Sequence, residues 1–408
     1  MPIGVAARRA LVLPAYKQGL FALSGNEITD ALRRAALQGD GLSPSEFSLG
    51  VWPAATNLCT NGGCETNTTG WSKVGTGTLA RSTAQAKFGA ASLLATCAAD
   101  STSLARFGIT LTAAAHSLEA WLYIPSTWSG VQLSVRFNAF AGATGTLFAD
   151  ADMTKTDQWQ RLQVPNVGIV AGDLAGFLLV NESDPAAAAG DFIYVDGAQC
   201  ELGAVCTPYI ETDGGTAART AASVTAPARL LDINQSWVAV RLRPGFIGGL
   251  RDARIASWRD AGNGLEMYFE AAGDTVAMTA GAAYGADIAS IAYGGGYAAG
   301  VPHTVIGYAT RGFIGISLDG SVFTAGARTR NSKPAVTTFA IGDLQEGGGQ
   351  ILAGDLLGFA TGLGSLTNAD AAAIHHAFVN QRGYLKPRHL PGDCTMAWLP
   401  GGGVFLGR

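Results

Sequence analysis

The sequence predicts an all-β chain built of two tandem antiparallel β-sandwich or jelly-roll domains, with a short N-terminal arm and a C-terminal tail. Three observations predict it. Short apolar runs alternate with polar residues at a period of two, as strands with one buried face do. Clusters rich in Gly, Asn and Asp punctuate those runs, and glycine alone is 55 of 408 residues, which argues for many short strands joined by turns. Charged residues are only 14% of the chain while 48% are hydrophobic, so there is apolar material for cores and no composition of disorder. At 408 residues, two or three domains of about 100–200 residues are expected.

Residues 1–56 read as an attachment or oligomerisation arm. Ile28, Leu32, Ala35 and Ala36 share one face of a helix that Asn26 can cap. The alternative is an arm folded onto its own first domain. Residues 57–210 alternate strongly. In His116–Ile124, Leu118, Ala120, Leu122 and Ile124 face one way, and Glu119, Trp121 and Tyr123 the other. Gln132–Phe137 repeats the pattern with Leu133, Val135 and Phe137. Residues 211–228 are Ala/Thr/Gly-rich and aperiodic, which reads as a linker.

Residues 229–383 form the second sandwich. Its Trp237–Arg243 run places Val238, Val240 and Leu242 inward, and Phe313–Phe323 is a hairpin whose Asp319-Gly320 pair suits a tight turn. Leu366–Phe378 reads as a helix, with Thr367 as its cap, Asp370 in its first turn and Gly383 positioned to end it. Residues 384–408 carry Pro387, Pro391, Pro400 and three consecutive glycines, and read as an extended tail.

Several function classes are disfavoured. The net charge is −4 and no segment concentrates Lys and Arg, so nucleic acid is not an expected partner. No apolar run approaches the roughly 20 residues that span a bilayer, and the N-terminus lacks a signal-peptide core, so folding in the cytosol is expected. The cysteine spacings Cys59-x4-Cys64 and Cys200-x5-Cys206 fit no zinc pattern. Cys59, Cys64, Cys97, Cys200, Cys206 and Cys394 are therefore read as buried thiols, with a Cys64–Cys200 disulfide as the alternative.

Two segments carry a family resemblance. The first contains Asn57-Leu58, Asn61-Gly62-Gly63-Cys64-Glu65 and Gly70-Trp71, and the second runs Ile193-Tyr-Val-Asp-Gly-Ala-Gln-Cys-Glu201. Together they resemble the opening and closing strands of carbohydrate-binding modules of the family 4/9 type. The exit Thr207-Pro-Tyr-Ile210 is similar to that of phage tail and other virion proteins carrying such modules. Residues 229–383 more loosely resemble a concanavalin/laminin-G sandwich. The resemblance implies a virion structural protein of a tailed phage, at the tail tip, fibre, spike or head surface, made in the host cytoplasm. Its implied partners are other virion proteins through the arm, host-surface glycans, and further copies of itself, a trimer being plausible. It also implies a structural Ca²⁺ held by Glu65 and Asp196, with oxygen ligands from both chain ends pinning the first strand to the last.

Sugar recognition needs aromatic faces beside hydrogen-bonding groups. The candidates are Trp121, Tyr123, Trp128 and Trp159, with Gln132, Arg136 and Asn138 as polar partners; the competing reading for each aromatic is core or subunit interface. No catalytic residues are assigned. Glu266 and Glu270 share a strand face at i, i+4, but Tyr268 stands where concanavalin-type hydrolases have an Asp. A purely architectural virion protein and an accessory module of a glycan hydrolase are the remaining alternatives.

Overall fold

The computed structural model describes residues 22–24, 49–73, 77–98, 103–137, 143–170, 174–180, 187–228, 231–246, 252–260, 263–281, 287–292, 298–330, 332–342, 350–380, 394–397 and 405–406. They fold as two compact units, one of Ala54–Arg219 and one of the segments on either side of it. Both are almost entirely β.

Strands β1 (Ala22–Ser24) and β2 (Leu49–Val51) precede the first unit in sequence. The first unit holds β3 (Ala55–Asn57), β4 (Trp71–Lys73), β5 (Thr78–Ser82), β6 (Ser92–Thr96), β7 (Ser103–Thr110) and β8 (Ala115–Tyr123). It continues with β9 (Ser134–Arg136), β10 (Phe148–Asp150), β11 (Trp159–Gly168), β12 (Leu174–Val180), β13 (Phe192–Leu202) and β14 (Ala217–Arg219). Two five-stranded antiparallel sheets result, in the orders β11-β8-β13-β6-β5 and β10-β9-β12-β7-β4, while β3 pairs with β14.

The period of two explains the sandwich. Leu118, Ala120 and Leu122 of β8, with Ile193 and Val195 of β13 and Leu93 of β6, meet Ala105, Phe107 and Ile109 of β7 and Val135 of β9 in one core. A register shift in β13 between Asp196 and Gln199 keeps this arrangement intact. Gly197 sits in the bulge with φ +59°, where a Cβ would lie 2.6 Å from the Phe88 ring. Ala198 and Cys200 thereby return to the core while Asp196 and Gln199 stay on the outer face.

The second unit adds β15 (Ser223–Pro227), β16 (Gln235–Pro244), β17 (Ala253–Arg259), β18 (Gly264–Glu270), β19 (Thr275–Ala280), β20 (Asp287–Ala292) and β21 (His303–Thr310). After these come β22 (Phe313–Leu318), β23 (Thr324–Ala327), β24 (Thr338–Ile341), β25 (Gly354–Leu363), helix α1 (Asn368–Asn380), β26 (Cys394–Ala397) and β27 (Phe405–Leu406). One sheet runs β1-β15-β24-β17-β18-β19-β20; the other runs β23-β22-β21-β16-β25-β26-β27, with β2 also on β25. The sheets face each other closely: a Cβ on Gly307 of β21 would meet the Met267 and Met278 sulfurs at 2.4 and 2.8 Å.

Helix α1 opens with a reciprocal cap, since Thr367 N donates to Asp370 Oδ2 at 2.7 Å and Asp370 N to Thr367 Oγ1 at 3.3 Å. Its Ala371, Ile374 and Phe378 pack on Trp237, Ala239, Ile306 and Ala360. Strand β16 is thus buried on both faces, with Val240 and Leu242 on the other side from Trp237. The β22–β23 hairpin turns through Asp319 and Gly320 at φ +51° and +76°, the positive angles the dipeptide suggested.

Several expected boundaries differ. The stretch 211–228 is not a bare linker: it contains β14, which pairs with β3 in the first unit, and β15, which pairs with β1 and β24 in the second. Within residues 1–56, β1 and β2 are strands of the second sandwich, and residues 384–408 add β26 and β27 to it. Backbone pairing of such short segments leaves little trace in local composition. The strand expected over 132–137 is shorter, Ser134–Arg136, although Leu133, Val135 and Phe137 are all buried. The helix expected around 28–37 and Gly383 lie outside the described residues.

Candidate functional site

The outer face of the β11-β8-β13-β6-β5 sheet has two halves of different character. One half carries aromatic rings in sequence across three strands. Trp159 of β11 stands opposite Tyr123 of β8, which stands opposite Tyr194 of β13. Their ring centroids are 5.7 and 5.9 Å apart with interplanar angles of 63° and 76°. Phe192, two residues before Tyr194 and so on the same face, extends the row at 5.6 Å and 83°. Trp159, Tyr123 and Phe192 are half-buried, and Tyr194 is buried between them. Asp157 adjoins the row; its carboxylate accepts a hydrogen bond from Ser126 N at 3.0 Å. The Tyr123 hydroxyl is pushed above its usual range by burial, and further by the Asp157 charge and by Tyr194.

The other half is roofed. Segment 205–212, which includes the Thr-Pro-Tyr-Ile exit, lies over it and is tied down by side chains of the sheet. Glu201 accepts from Thr207 N and from Thr207 Oγ1 at 2.8 Å, and Gln199 Oε1 accepts from Ile210 N at 2.7 Å. Arg161 donates to Glu119 Oε2 at 2.6 Å and to Thr207 O at 3.3 Å. Burial pushes the Glu201 carboxyl up to about 7, offset in part by its bonds to Thr207.

This division sorts the expected sugar contacts. Tyr123 and Trp159 are brought together. Trp121, on the same face, is only 3% exposed, with Phe88 edge-on at 6.0 Å and Lys87 Nζ 4.1 Å above its ring. It has no face left for a ligand, because residues 84–90 fold over it. Trp128 is partly buried against the core. Arg136 lies on β9 in the opposite sheet, and Gln132, just before β9, bonds Asp150 at 3.3 Å, so neither joins the aromatic row. Asn138 lies outside the described residues. Tyr194, Phe192 and Asp157 were not anticipated. The signal for the first two was available: they alternate with the core residues Ile193 and Val195.

The two ends of the first unit meet beside the roofed half. Asn57 is fully buried; its Nδ2 donates to Ala198 O at 3.1 Å and Ile210 O at 2.9 Å, and its Oδ1 accepts from Cys59 N at 3.0 Å and Cys200 N at 3.2 Å. Close by, Tyr209 Oη, Asp196 Oδ1 and Glu65 Oε1 lie 3.1, 3.4 and 3.7 Å from where a Cβ of Gly63 would sit. The Tyr209 hydroxyl is buried next to the Thr212 backbone. Asp196 Oδ2 accepts from Lys87 N at 2.7 Å and Phe88 N at 2.9 Å, and Glu65 Oε2 from Ala90 N at 2.9 Å. Burial pushes the Asp196 carboxyl up to about 7 despite those bonds. Among the described residues no group of three or more His, Cys, Asp or Glu side chains is arranged to hold a metal ion.

The five described cysteines are free and buried. The charges that act on the Cys64 thiol are those of Asp196, Glu65 and Arg81, whereas those acting on Cys200 are Cys59, Glu201 and Cys206. In the second unit, Glu266 is held by Arg259 at 3.0 Å and Arg254 at 3.6 Å, and Ser257 donates to it at 3.3 Å. Glu270 accepts from Thr275 Oγ1 at 2.9 Å. No helix among the described residues is long and apolar enough to cross a membrane.

No family model matches the sequence, and a search of curated proteins returns no match. Among solved structures, the chain is similar to domain 4 of AbnA, a GH43 extracellular arabinanase from Geobacillus stearothermophilus, in complex with arabinotriose. The identity is 13% over 43% of this chain and 83% of that one, with a TM-score of 0.29. The CBM22-1-CBM22-2 tandem of Paenibacillus barcinonensis Xyn10C is 12% identical over 70% and 98%, with a TM-score of 0.27. Mouse laminin α1 domains LG4-5 are 9% identical over 80% and 93%, also with a TM-score of 0.27. Likenesses of this strength assign no ligand to the chain. Its fold class stands on its own sheet topology.

Proposed function

We propose that this protein binds glycans through the aromatic row Trp159–Tyr123–Tyr194–Phe192 of its first domain. The observation that carries the reading is the row itself: Trp159, Tyr123 and Phe192 are partly exposed around a buried Tyr194, on a sheet face whose other half is roofed. Sugar C–H faces stack on such rings, while Asp157 and Ser126 supply acceptors and donors for hydroxyls. Trp159, Tyr123 and Phe192 keep part of their ring surfaces open to a sugar, while Tyr194 packs between them and fixes their spacing. Trp159→Ala and Tyr123→Ala are each expected to weaken binding to a glycan selected on an array about tenfold, the equivalent of one stacked ring, with thermal unfolding unchanged. Undiminished binding by both variants removes the row as the site. An array without any bound glycan leaves the architectural reading.

A structural calcium accompanies this proposal. The Glu65 and Asp196 carboxylates converge with the Tyr209 hydroxyl on the space beside Gly63, and carboxylate oxygens suit a hard cation. When bound, the ion would join the opening strand to the closing one. Added Ca²⁺ is expected to raise the unfolding temperature of the full chain and EDTA to reverse this, with Asp196→Asn insensitive; a midpoint indifferent to both disproves the site.

The setting we propose, a virion of a tailed phage assembled in the host cytoplasm, rests on the sequence resemblance alone. There the protein would sit among other virion proteins as a homo-oligomer, whose weak sites gain avidity from linkage. Antibody labelling of purified particles in electron micrographs tests it. The protein acts as a binder, without catalysis; Glu266, the best-placed carboxylate on the expected strand, is engaged by two arginines and a serine. Hydrolysis of the bound glycan by the pure protein contradicts this.

A further inference from the structure

We propose that Cys59 and Cys200 are a latent disulfide that clasps the opening segment of the first domain to its closing strand. The two residues share one anchor: the Asn57 carboxamide oxygen accepts the backbone N–H of both, at 3.0 and 3.2 Å. Leu58 N also donates to Cys200 O at 2.8 Å, so the segment around Cys59 runs directly alongside β13. Both side chains project into the same core, each 0% exposed, and the Cys59 thiol is hydrogen-bonded to the Cys200 backbone. These backbone hydrogen bonds and the shared core hold the two residues side by side, as a disulfide needs.

The other cysteines are placed less well for Cys200. Cys206 also lies near enough for its charge to act on Cys200, but its own surroundings are Glu119, Glu201, Arg161 and Ser117, and its sulfur approaches Leu118 O at 3.4 Å. Glu119 and Glu201 occupy the outer face of the sheet, whereas Cys200 is on the inner face. The Cys64 thiol approaches Asn61 O at 3.9 Å, and the charges acting on it are those of Asp196, Glu65 and Arg81, with neither Cys59 nor Cys200 among them.

The chemistry is thiol–disulfide exchange with a small-molecule disulfide such as oxidised glutathione. One cysteine thiolate attacks the reagent, forming a mixed disulfide and expelling one thiolate. The second cysteine thiolate attacks that mixed disulfide and expels the other. One S–S bond forms within the protein, one is broken in the reagent, and two electrons pass to the two glutathiones released. Burial pushes the Cys59 thiol up to about 12, so the folded domain exchanges slowly. In a reducing cytoplasm the pair stays as thiols, and the bond forms only where the domain refolds or opens in an oxidising medium.

The test refolds the full chain with oxidised and reduced glutathione, and separately with reductant alone. Non-reducing peptide mapping is expected to find Cys59 joined to Cys200 in the wild type and equally in Cys64→Ala and Cys206→Ala. The first-domain unfolding midpoint is expected to rise about 10 °C over the reduced form, as for a clasp closing a long loop. Cys59→Ala, refolded the same way, should lose both the link and the rise. A link from Cys200 to Cys64 or Cys206, or no link to Cys200 at all in redox buffer, overturns the proposal. So does a midpoint that stays put when the Cys59–Cys200 link is present.

Discussion

Asn57→Ala is expected to destabilise the first domain by about 3–5 kcal/mol. The carboxamide makes four hydrogen bonds, two given and two received, and is fully buried. Removing it leaves Ala198 O, Ile210 O, Cys59 N and Cys200 N each short of a partner in a place water does not reach. Those four groups belong to the opening segment, the closing strand and the exit strap that follows it, so one side chain joins the two ends of the domain. Asn57→Asp retains the two acceptor contacts, loses both donations and buries a charge, and should fare no better. Chemical denaturation followed by circular dichroism reads the effect; a loss under about 1 kcal/mol would mean that the backbone groups find other partners.

Arg161→Met is expected to cost about 3–5 kcal/mol at pH 8 and less at pH 5. Glu119 is 1% exposed, and its Oε2 accepts from Arg161 Nη2 at 2.6 Å, Arg161 Nε at 3.1 Å and Gln163 Nε2 at 3.2 Å. Without the guanidinium the buried carboxylate loses both of its charge-assisted hydrogen bonds from Arg161, with Glu201 on the neighbouring strand. A proton relieves that state, so the penalty shrinks as the medium becomes acidic. The wild type should show a milder form of the same trend. Glu201 is pushed from 4.5 to about 7 by burial, so between those values the folded state holds a proton that the unfolded chain releases. Its stabilising effect is complete below pH 4.5 and is lost as pH rises through 7. Calorimetry between pH 5 and 8 should show the first-domain midpoint falling, with Glu201→Gln flattening the slope. A midpoint that rises over this range is incompatible with a protonated Glu201.

Much of the fold was readable because its causes are local. A strand's side chains alternate by covalent geometry, so Leu118, Ala120 and Leu122 declare one face and Glu119, Trp121 and Tyr123 the other without reference to anything distant. The Asp319-Gly320 turn and the Thr367/Asp370 cap are equally local, and they stand where the residues suggested. The linker over 211–228 was misjudged for the complementary reason. Short strands such as β14 and β15 exist because backbones elsewhere pair with them, and an Ala/Thr/Gly-rich composition carries no record of that.

The candidate site shows the same limit. Periodicity correctly put Trp121 and Tyr123 on the outer face, but it could not tell which of them stays open. Phe88 and Lys87 settle the matter for Trp121, and both come from a segment distant in sequence. Tyr194 and Phe192 join Tyr123 only because β13 pairs with β8 in one particular register.

The sequence by itself therefore determined the strand periodicity, the turns, the helix and the paired end motifs, since each is written within a few residues. The tertiary structure alone decided which aromatic faces remain uncovered, that Cys59 and Cys200 share the Asn57 carboxamide as an anchor, and that Asn57 binds both ends of the domain. Those outcomes depend on contacts between segments far apart in the chain, and no local pattern encodes which segment will cover which face.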